Sequence, residues 1–313
     1  MRLRRSTLSV PGHRQSMHDK AAASGADVIM LDLEDSVPVE SKLDARRAVI
    51  RSICEKDWGK TLLTVRMNGI DTPFGYRDLI EVLEACADRI DAIVVPKVNH
   101  PGDIHFVSRL IDGIALHLVK ELSVGIEATI ESAEGMENVS AIAAASPRLK
   151  TLVFGIADYS ASLGTRLVSI SGHGENEADI YPGHRWHYAM CRIVNAARAN
   201  GLLAIDSPYG HFRDLDGLAQ AARMSCSLGF DGKWAIHPGQ IETIHAIFTP
   251  TAEDINRAGR VLAAFDRARQ EGRGAASLDG RMIDQATVRM AQQLWDQAAA
   301  LGLTPPNGSS EAS

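Results

Sequence analysis

The chain has 313 residues, 45% of them hydrophobic and 23% charged, with a formal net charge of −6. That is ample for a buried core, and one (β/α)8 barrel takes about 250 residues. The acidic balance, with an isoelectric point near 6.0, argues against a general nucleic-acid or membrane-surface binder. No apolar run is long enough to span a bilayer, and no signal-type apolar segment follows the basic Met1–Arg5, so a cytoplasmic protein is expected. Cys54, Cys86, Cys191 and Cys226 are scattered, with no Cys-x-x-Cys pair, and read as reduced thiols.

Strand-like and helix-like segments alternate from the start. Arg5–Val10 reads as a short strand, Pro11-Gly12 as a turn, and Gln15–Ser24 as a helix stopped by Gly25. Strands follow at Asp27–Glu34, Thr61–Met67 and Ala92–Lys97, with helices at Ser41–Glu55, Phe74–Ala87 and Ile104–Ile111. The fifth strand, within Ser123–Glu131, alternates Ile126, Ala128 and Ile130 with Glu127, Thr129 and Glu131. A helix at Ala133–Ala145 precedes a sixth strand, Thr151–Ala157, which ends on Asp158. Trp186–Asn200 is helical, Leu202–Asp206 the seventh strand, Leu215–Leu228 a helix and Lys233–His237 the eighth strand.

Eight strands alternating with helices imply a closed parallel (β/α)8 TIM barrel, an α/β fold, over residues 1–250. A doubly wound open sheet is the competing architecture, but no Gly-x-Gly-x-x-Gly follows the first strand. Two helices, Ala252–Glu271 and Met282–Ala300, form a C-terminal lid over residues 251–303. Between them Gly272–Arg281 is too glycine-rich for a packed element, and residues 304–313 read as a frayed tail.

Barrel active sites lie at the C-terminal strand ends. The polar residues there are Glu34, Asp35, Arg66, Asn68, Lys97, Glu131, Asp158, Asp206 and His237. A carboxylate at a buried strand end is costly unless something positive meets it. Glu131 and Asp158, on successive strands, therefore suggest one divalent cation held between them. The competing explanation is an internal salt-bridge network, which is strongest for Arg66 with Glu34. Glu127 is either a supporting or a structural residue, and Asp32 a holder of a neighbouring cation. Lys42 and Arg46 read as solvated helix charges, and Asp279 as a turn residue before Gly280. His184 and His187 lack the further ligands of a zinc site. Trp58, Trp186, Trp234 and Trp295 suggest only core and interface use.

The chain resembles the citrate lyase beta-subunit-like family, which includes malyl-CoA, β-methylmalyl-CoA and citramalyl-CoA lyases. The resemblance rests on Ser9-Val-Pro-Gly-His-Arg14, Leu31-Asp-Leu-Glu-Asp-Ser-Val37 with Lys42 and Arg46, and Val65-Arg-Met-Asn68. It continues through Ile130-Glu-Ser-Ala-Glu-Gly135, Phe154-Gly-Ile-Ala-Asp158, Ala235-Ile-His-Pro238 and Gly280-Arg-Met-Ile-Asp284. It implies a Mg²⁺-dependent barrel, with Mn²⁺ as an alternative ion, that splits a short 3-hydroxyacyl-CoA. Glu131 and Asp158 would be metal ligands, Glu131 also facing substrate, and Arg66 a substrate contact. Asp284 would be an acid/base carried by the lid of a neighbouring subunit in a homotrimer or hexamer. Arg14 and Lys20 would meet the CoA phosphates. Ser132 stands where many relatives have Thr, and the segment 168–183 is a candidate specificity loop. A malyl-CoA-type thioesterase, a citrate lyase subunit acting on an acyl-carrier-protein thioester and a non-catalytic CoA-binding protein are the rivals.

Overall fold

Eight parallel strands close on themselves in sequence order. The computed structural model describes residues 3–165, 185–272 and 276–303. The candidate loop 168–183, His184 and the tail 304–313 lie outside the described residues. The strands are β1 (Ser6–Pro11), β2 (Val28–Asp32), β3 (Leu62–Arg66), β4 (Ala92–Val95), β5 (Gly125–Ile130), β6 (Leu149–Phe154), β7 (Leu203–Asp206) and β8 (Gly232–Ala235). β1 closes the barrel on β8 with Thr7 opposite Trp234 and Leu8 opposite Ala235. No helix among the described residues is long and apolar enough to cross a membrane.

The helices of this unit, residues 4–246, follow the strands. They are α1 (Gln15–Ala22), α2 (Lys42–Glu55), α3 (Gly75–Cys86), α4 (Pro101–His117), α5 (Ala133–Glu137), α6 (Val139–Ala143), α7 (Ile156–Ser162), α8 (His187–Ala199), α9 (Leu215–Leu228) and α10 (Ile241–Phe248), the last running two residues past it. Amphipathic spacing explains them: α3 buries Leu79, Val82, Leu83 and Cys86, the i, i+3, i+4, i+7 face. Helix ends follow local chemistry. Pro101 opens α4, where the Asp103 carboxylate accepts from the His100 N–H at 2.9 Å. α9 stops at Gly229, whose φ of 100° only glycine adopts freely.

The strands are buried on both faces, as a parallel sheet under helices requires. Met30, Val94, Val153, Ile205 and Trp234 form one packed cluster. Asp32 and Arg66 lie on the same parity as Met30 and Thr64, so this is the inner face. Glu127, also of inner parity, is buried in an ion pair with Arg4, a residue preceding β1. It is structural, and its position below Thr129 on β5 keeps it away from the strand ends.

The second unit comprises residues 1–3 and 247–313. Within it α11 (Ala252–Gln270) and α12 (Gln285–Ala300) pack over a core of Val261, Phe265, Ala268, Ile283 and Ala291. The glycine-rich segment before α12, expected to carry no packed element, instead forms a hairpin of β9 (Ala276–Leu278) and β10 (Arg281–Ile283). Asp279 and Gly280 are its two-residue turn, both with positive φ (51° and 73°), the Asp-Gly signature of a tight hairpin. Met282 is therefore a strand residue, and α12 begins at Gln285.

Two other expectations change. β6 stops at Phe154, and the apolar Ile156-Ala157 continues as α7, so Asp158 sits in the first turn of a helix instead of ending a strand. α10 occupies a stretch to which the sequence patterning assigned no helix.

Candidate active site

Register places the first pair of charges. Asp32 ends β2 directly opposite Arg66 on β3. Arg66 Nε and Nη2 donate to the two Asp32 oxygens at 2.6 and 2.7 Å, and Nη1 lies 3.0 Å from Glu34 Oε2. The Arg66 guanidinium also lies 5.7 Å from the Trp234 ring centre, a cation–π contact that gives this tryptophan a place in the site. Burial works against the Asp32 charge, but the guanidinium outweighs it and holds the carboxyl below the usual range. Asp32 further accepts from the Glu34 N–H at 2.9 Å and from the Ser36 N–H and hydroxyl. The Leu31–Val37 motif is thus a turn folded around one carboxylate. Two of the five guanidinium N–H groups are hydrogen-bonded, both to Asp32, and the Glu34 contact is an ion pair without a hydrogen bond, which leaves donors on Nη1 and Nη2 for a substrate oxygen.

Lys42 and Arg46, expected to be solvated, are buried at 7% and 3% exposure. Lys42 Nζ donates to the main-chain oxygens of Leu33 and Glu34 at 2.8 and 2.6 Å, pinning the loop after β2. Arg46 Nε binds Asp78 on α3 at 2.7 Å, and Asp78 in turn holds the Asn68 side chain at 2.6 Å. Asn68 is therefore engaged with α3. Gly12 supplies the close approach between loops: its N–H donates to Asp32 O at 2.7 Å, and a Cβ there would lie 2.5 Å from that oxygen.

Glu131 follows β5 immediately and is 6% exposed. Its Oε1 accepts from the Lys97 N–H at 2.7 Å and the Thr129 hydroxyl at 2.8 Å. Burial pushes its carboxyl up to about 7; the Thr129 bond opposes this, and the charges of Asp158 and Glu34 reinforce it. Ser132, the next residue, is the N-cap of α5, its hydroxyl accepting from Gly135 N–H at 2.9 Å. That capping role accounts for the hydroxyl at this position.

Asp158 is half-buried, and among the described residues no hydrogen bond reaches its carboxylate. A Cβ at Gly155 would stand 2.4 Å from Glu131 Oε2, so that oxygen lies over bare glycine backbone. Two neighbouring acids, one raised toward neutrality chiefly by burial and further by the other's charge, form an oxygen-only donor set with surplus negative charge. Mg²⁺ suits such a set, because it takes one or two carboxylates and keeps waters for the rest. Among the described residues no group of three or more acids, histidines or cysteines is placed to hold a metal ion, so water or substrate oxygens would complete the shell.

The other strand-end groups are committed elsewhere. Asp206 has the parity opposite to Ile205, so it points out of the barrel and meets the fully buried Lys233 at 2.5 Å. His237 is exposed, accepts from the Gly239 N–H at 3.0 Å and stacks on Phe212 with ring centres 4.9 Å apart. Arg14 starts α1 and Lys20 lies in its last turn, about 9 Å further along the axis; both are exposed. Asp284, exposed in the second unit, caps α12: its carboxylate accepts from the Thr287 N–H and hydroxyl at 2.8 and 2.9 Å, and these bonds hold its carboxyl below the usual range. Patterning alone missed Thr129, Gly155 and Trp234. The β5 alternation carried a signal for Thr129, since it shares parity with Glu131.

The family described as HpcH/HpaI aldolase/citrate lyase matches residues 5–238. L-malyl-CoA/beta-methylmalyl-CoA lyase from Cereibacter sphaeroides is 42% identical over 299 residues, 94% of each chain. A (3S)-malyl-CoA thioesterase from the same species is 35% identical over 297 residues, 95% of each chain. Among solved structures, protein CitE from Mycobacterium tuberculosis in complex with magnesium, acetoacetate and coenzyme A superposes with a TM-score of 0.73 at 28% identity, covering 94% of this chain and 98% of that one. The match spans every barrel strand and both candidate metal ligands, and the chain belongs to the HpcH/HpaI aldolase/citrate lyase family.

Proposed function

We propose that this protein is a Mg²⁺-dependent carbon–carbon lyase that cleaves a short 3-hydroxyacyl-CoA of the malyl-CoA or β-methylmalyl-CoA type. The observation that carries this is the Glu131–Asp158 acid pair beside Arg66, in a chain 42% identical to a protein named as such a lyase. Glu131 and Asp158 would hold the ion, with Mn²⁺ as a substitute. When bound, it supplies a Lewis acid for the substrate's hydroxyl and carboxylate oxygens. Loss of the hydroxyl proton to water and cleavage between the hydroxyl carbon and the α-carbon leave an oxo acid and a thioester enolate. Arg66 meets the thioester oxygen as that charge develops, held in place by Asp32. Asp284 protonates the enolate carbon, or takes that proton in the condensation direction.

Residues 251–303 act as the lid in this proposal, delivering Asp284 to a second copy within a homotrimer or hexamer. Arg14 and Lys20 contact the CoA phosphates, and the enzyme works in the cytoplasm. Incubation with Mg²⁺ and malyl-CoA should release glyoxylate and acetyl-CoA in equal amounts. No glyoxylate from malyl-, β-methylmalyl- or citramalyl-CoA counts decisively against a lyase.

One relative favours a second function. The 35% identical protein named as a malyl-CoA thioesterase uses the same length of chain. A thioesterase would release malate and free CoA, so product identity separates the two.

A further inference from the structure

We propose that Cys54 and Cys86 form a redox pair: an exposed thiol that a peroxide oxidises, and a buried thiol that closes a disulfide between α2 and α3. The pair stands outside the metal-dependent reaction proposed above and does not rest on it. Cys54 lies in the last turn of α2 and is exposed. Cys86 is the last residue of α3 and is 5% exposed. The Cys54 sulfur lies 3.8 Å from the Ala85 carbonyl oxygen, a contact with the residue joined to Cys86. The Cys86 thiol donates to the Val82 carbonyl at 3.1 Å, one turn back in its own helix. Burial pushes the Cys86 thiol up to about 12, and the neighbouring Cys54 thiol pushes the same way, through charge and a hydrogen bond.

Helix packing explains why the two thiols meet. α2 and α3 follow the paired strands β2 and β3 and lie side by side. Arg46 on α2 pairs with Asp78 on α3 at 2.7 Å. Cys54 is eight residues beyond Arg46 (54 − 46), and Cys86 eight beyond Asp78 (86 − 78). Both helices therefore advance about 12 Å from the ion pair to the thiols. The thiols sit where the helices end, beside the N-terminal ends of the strands and away from the catalytic face. Exposure makes Cys54 the first sulfur to react. With hydrogen peroxide as oxidant, the Cys54 sulfur, as thiolate, attacks one peroxide oxygen. The O–O bond breaks, hydroxide leaves, and the sulfur, oxidised by two electrons, becomes a sulfenic acid. The Cys86 sulfur then attacks the Cys54 sulfur. An S–S bond forms, the S–O bond breaks, and the departing hydroxide takes the Cys86 proton as water. Two thiols and one peroxide thus give one disulfide and two waters, and a dithiol reductant reverses the step by exchange.

The test treats the full, reduced chain with hydrogen peroxide. The remaining thiols are then alkylated in denaturant and the peptides weighed by mass spectrometry. We expect two of the four thiols to be lost and one peptide pair to appear, joined through Cys54 and Cys86 and lighter by two hydrogens than the reduced peptides. A dithiol should restore all four thiols. An unchanged thiol count overturns the proposal. So does Cys54 recovered as a sulfenic or sulfinic acid with Cys86 still alkylated, or a bridge from Cys54 to Cys191, to Cys226 or to a second chain. Cys86→Ala adds a check on the order of events. With no partner thiol, Cys54 should stop at the sulfenic acid and be trapped by dimedone, giving about tenfold more adduct than the wild type. Equal adduct in the two proteins sinks the assignment of Cys86 as the closing thiol. If Cys86→Ala does not fold, the bridge mapped in the wild type decides alone.

Discussion

Glu131 rests on Gly155: any side chain at 155 would put its first carbon 2.3 Å from Glu131 Cβ and 2.4 Å from Oε2. The φ of Gly155 is −98°, which other residues accept, so the requirement is for space and not for backbone freedom. Gly155→Ala should therefore displace the Glu131 carboxylate. We expect a stability loss of about 1–3 kcal/mol from overpacking and a loss of divalent-ion affinity of about tenfold or more. Urea unfolding and a Mn²⁺ titration measure the two. Unchanged ion affinity in a folded variant would remove Glu131 from the metal site.

Asp32 should matter through Arg66. Asp32→Ala removes both hydrogen bonds that orient the guanidinium and leaves a buried cation with only the Glu34 ion pair. A stability loss of about 3 kcal/mol is expected, because an orphaned buried charge is costly. Turnover should fall about a hundredfold, as misplacement of a reacting group by about 1 Å costs that much. Asp32→Asn, which keeps the shape, should lose less on both counts. Turnover of Asp32→Ala equal to wild type would show that Arg66 needs no holder.

Asp206 and Lys233 offer a control outside the site. Lys233→Met strands a buried carboxylate and should cost about 3–5 kcal/mol. The double variant Lys233→Met/Asp206→Leu should recover most of that loss, with Mn²⁺ affinity near wild type. A weakened ion affinity in the folded double variant would couple Asp206 to the metal site.

His18 supplies a pH dependence of stability. Its ring is buried, with Nε2 3.2 Å from the Pro11 carbonyl and Nδ1 2.7 Å from the Ser52 hydroxyl. The carbonyl can only accept, so Nε2 carries the proton and Nδ1 accepts from Ser52. Desolvation lowers its pKa in the folded chain. The unfolded chain then binds the extra proton first, so this contribution is complete above the ordinary histidine pKa of about 6.5 and is lost as pH falls through the lower folded value. Below about pH 6 the wild type should lose up to about 1.4 kcal/mol per pH unit more than His18→Gln. Denaturation at pH 8, 6 and 5 checks it; parallel losses in both proteins would clear His18 of the effect.

Much of the barrel was legible because burial on both faces makes each strand a short apolar run, and turns separate the runs. The same rule misled at Asp158. Ile156 and Ala157 prolong the apolar run, and nothing local marks the change to helix after Gly155. Lys42 and Arg46 looked like solvated charges because their partners are loop carbonyls and a carboxylate on another helix, far away in the chain.

By itself the sequence determined the order of strands and helices, the alternation that points Asp32, Arg66 and Glu131 to the inside, and the turn at Asp279-Gly280, though not the hairpin it closes. These follow from periodicity and turn chemistry, which act over a few residues. Only tertiary structure decided which acids keep a cation of their own. Asp206 has Lys233 and Asp32 has Arg66, whereas Asp158 has no protein donor among the described residues. That allocation depends on strand register and barrel closure, which set side chains from distant segments within a few ångströms of one another.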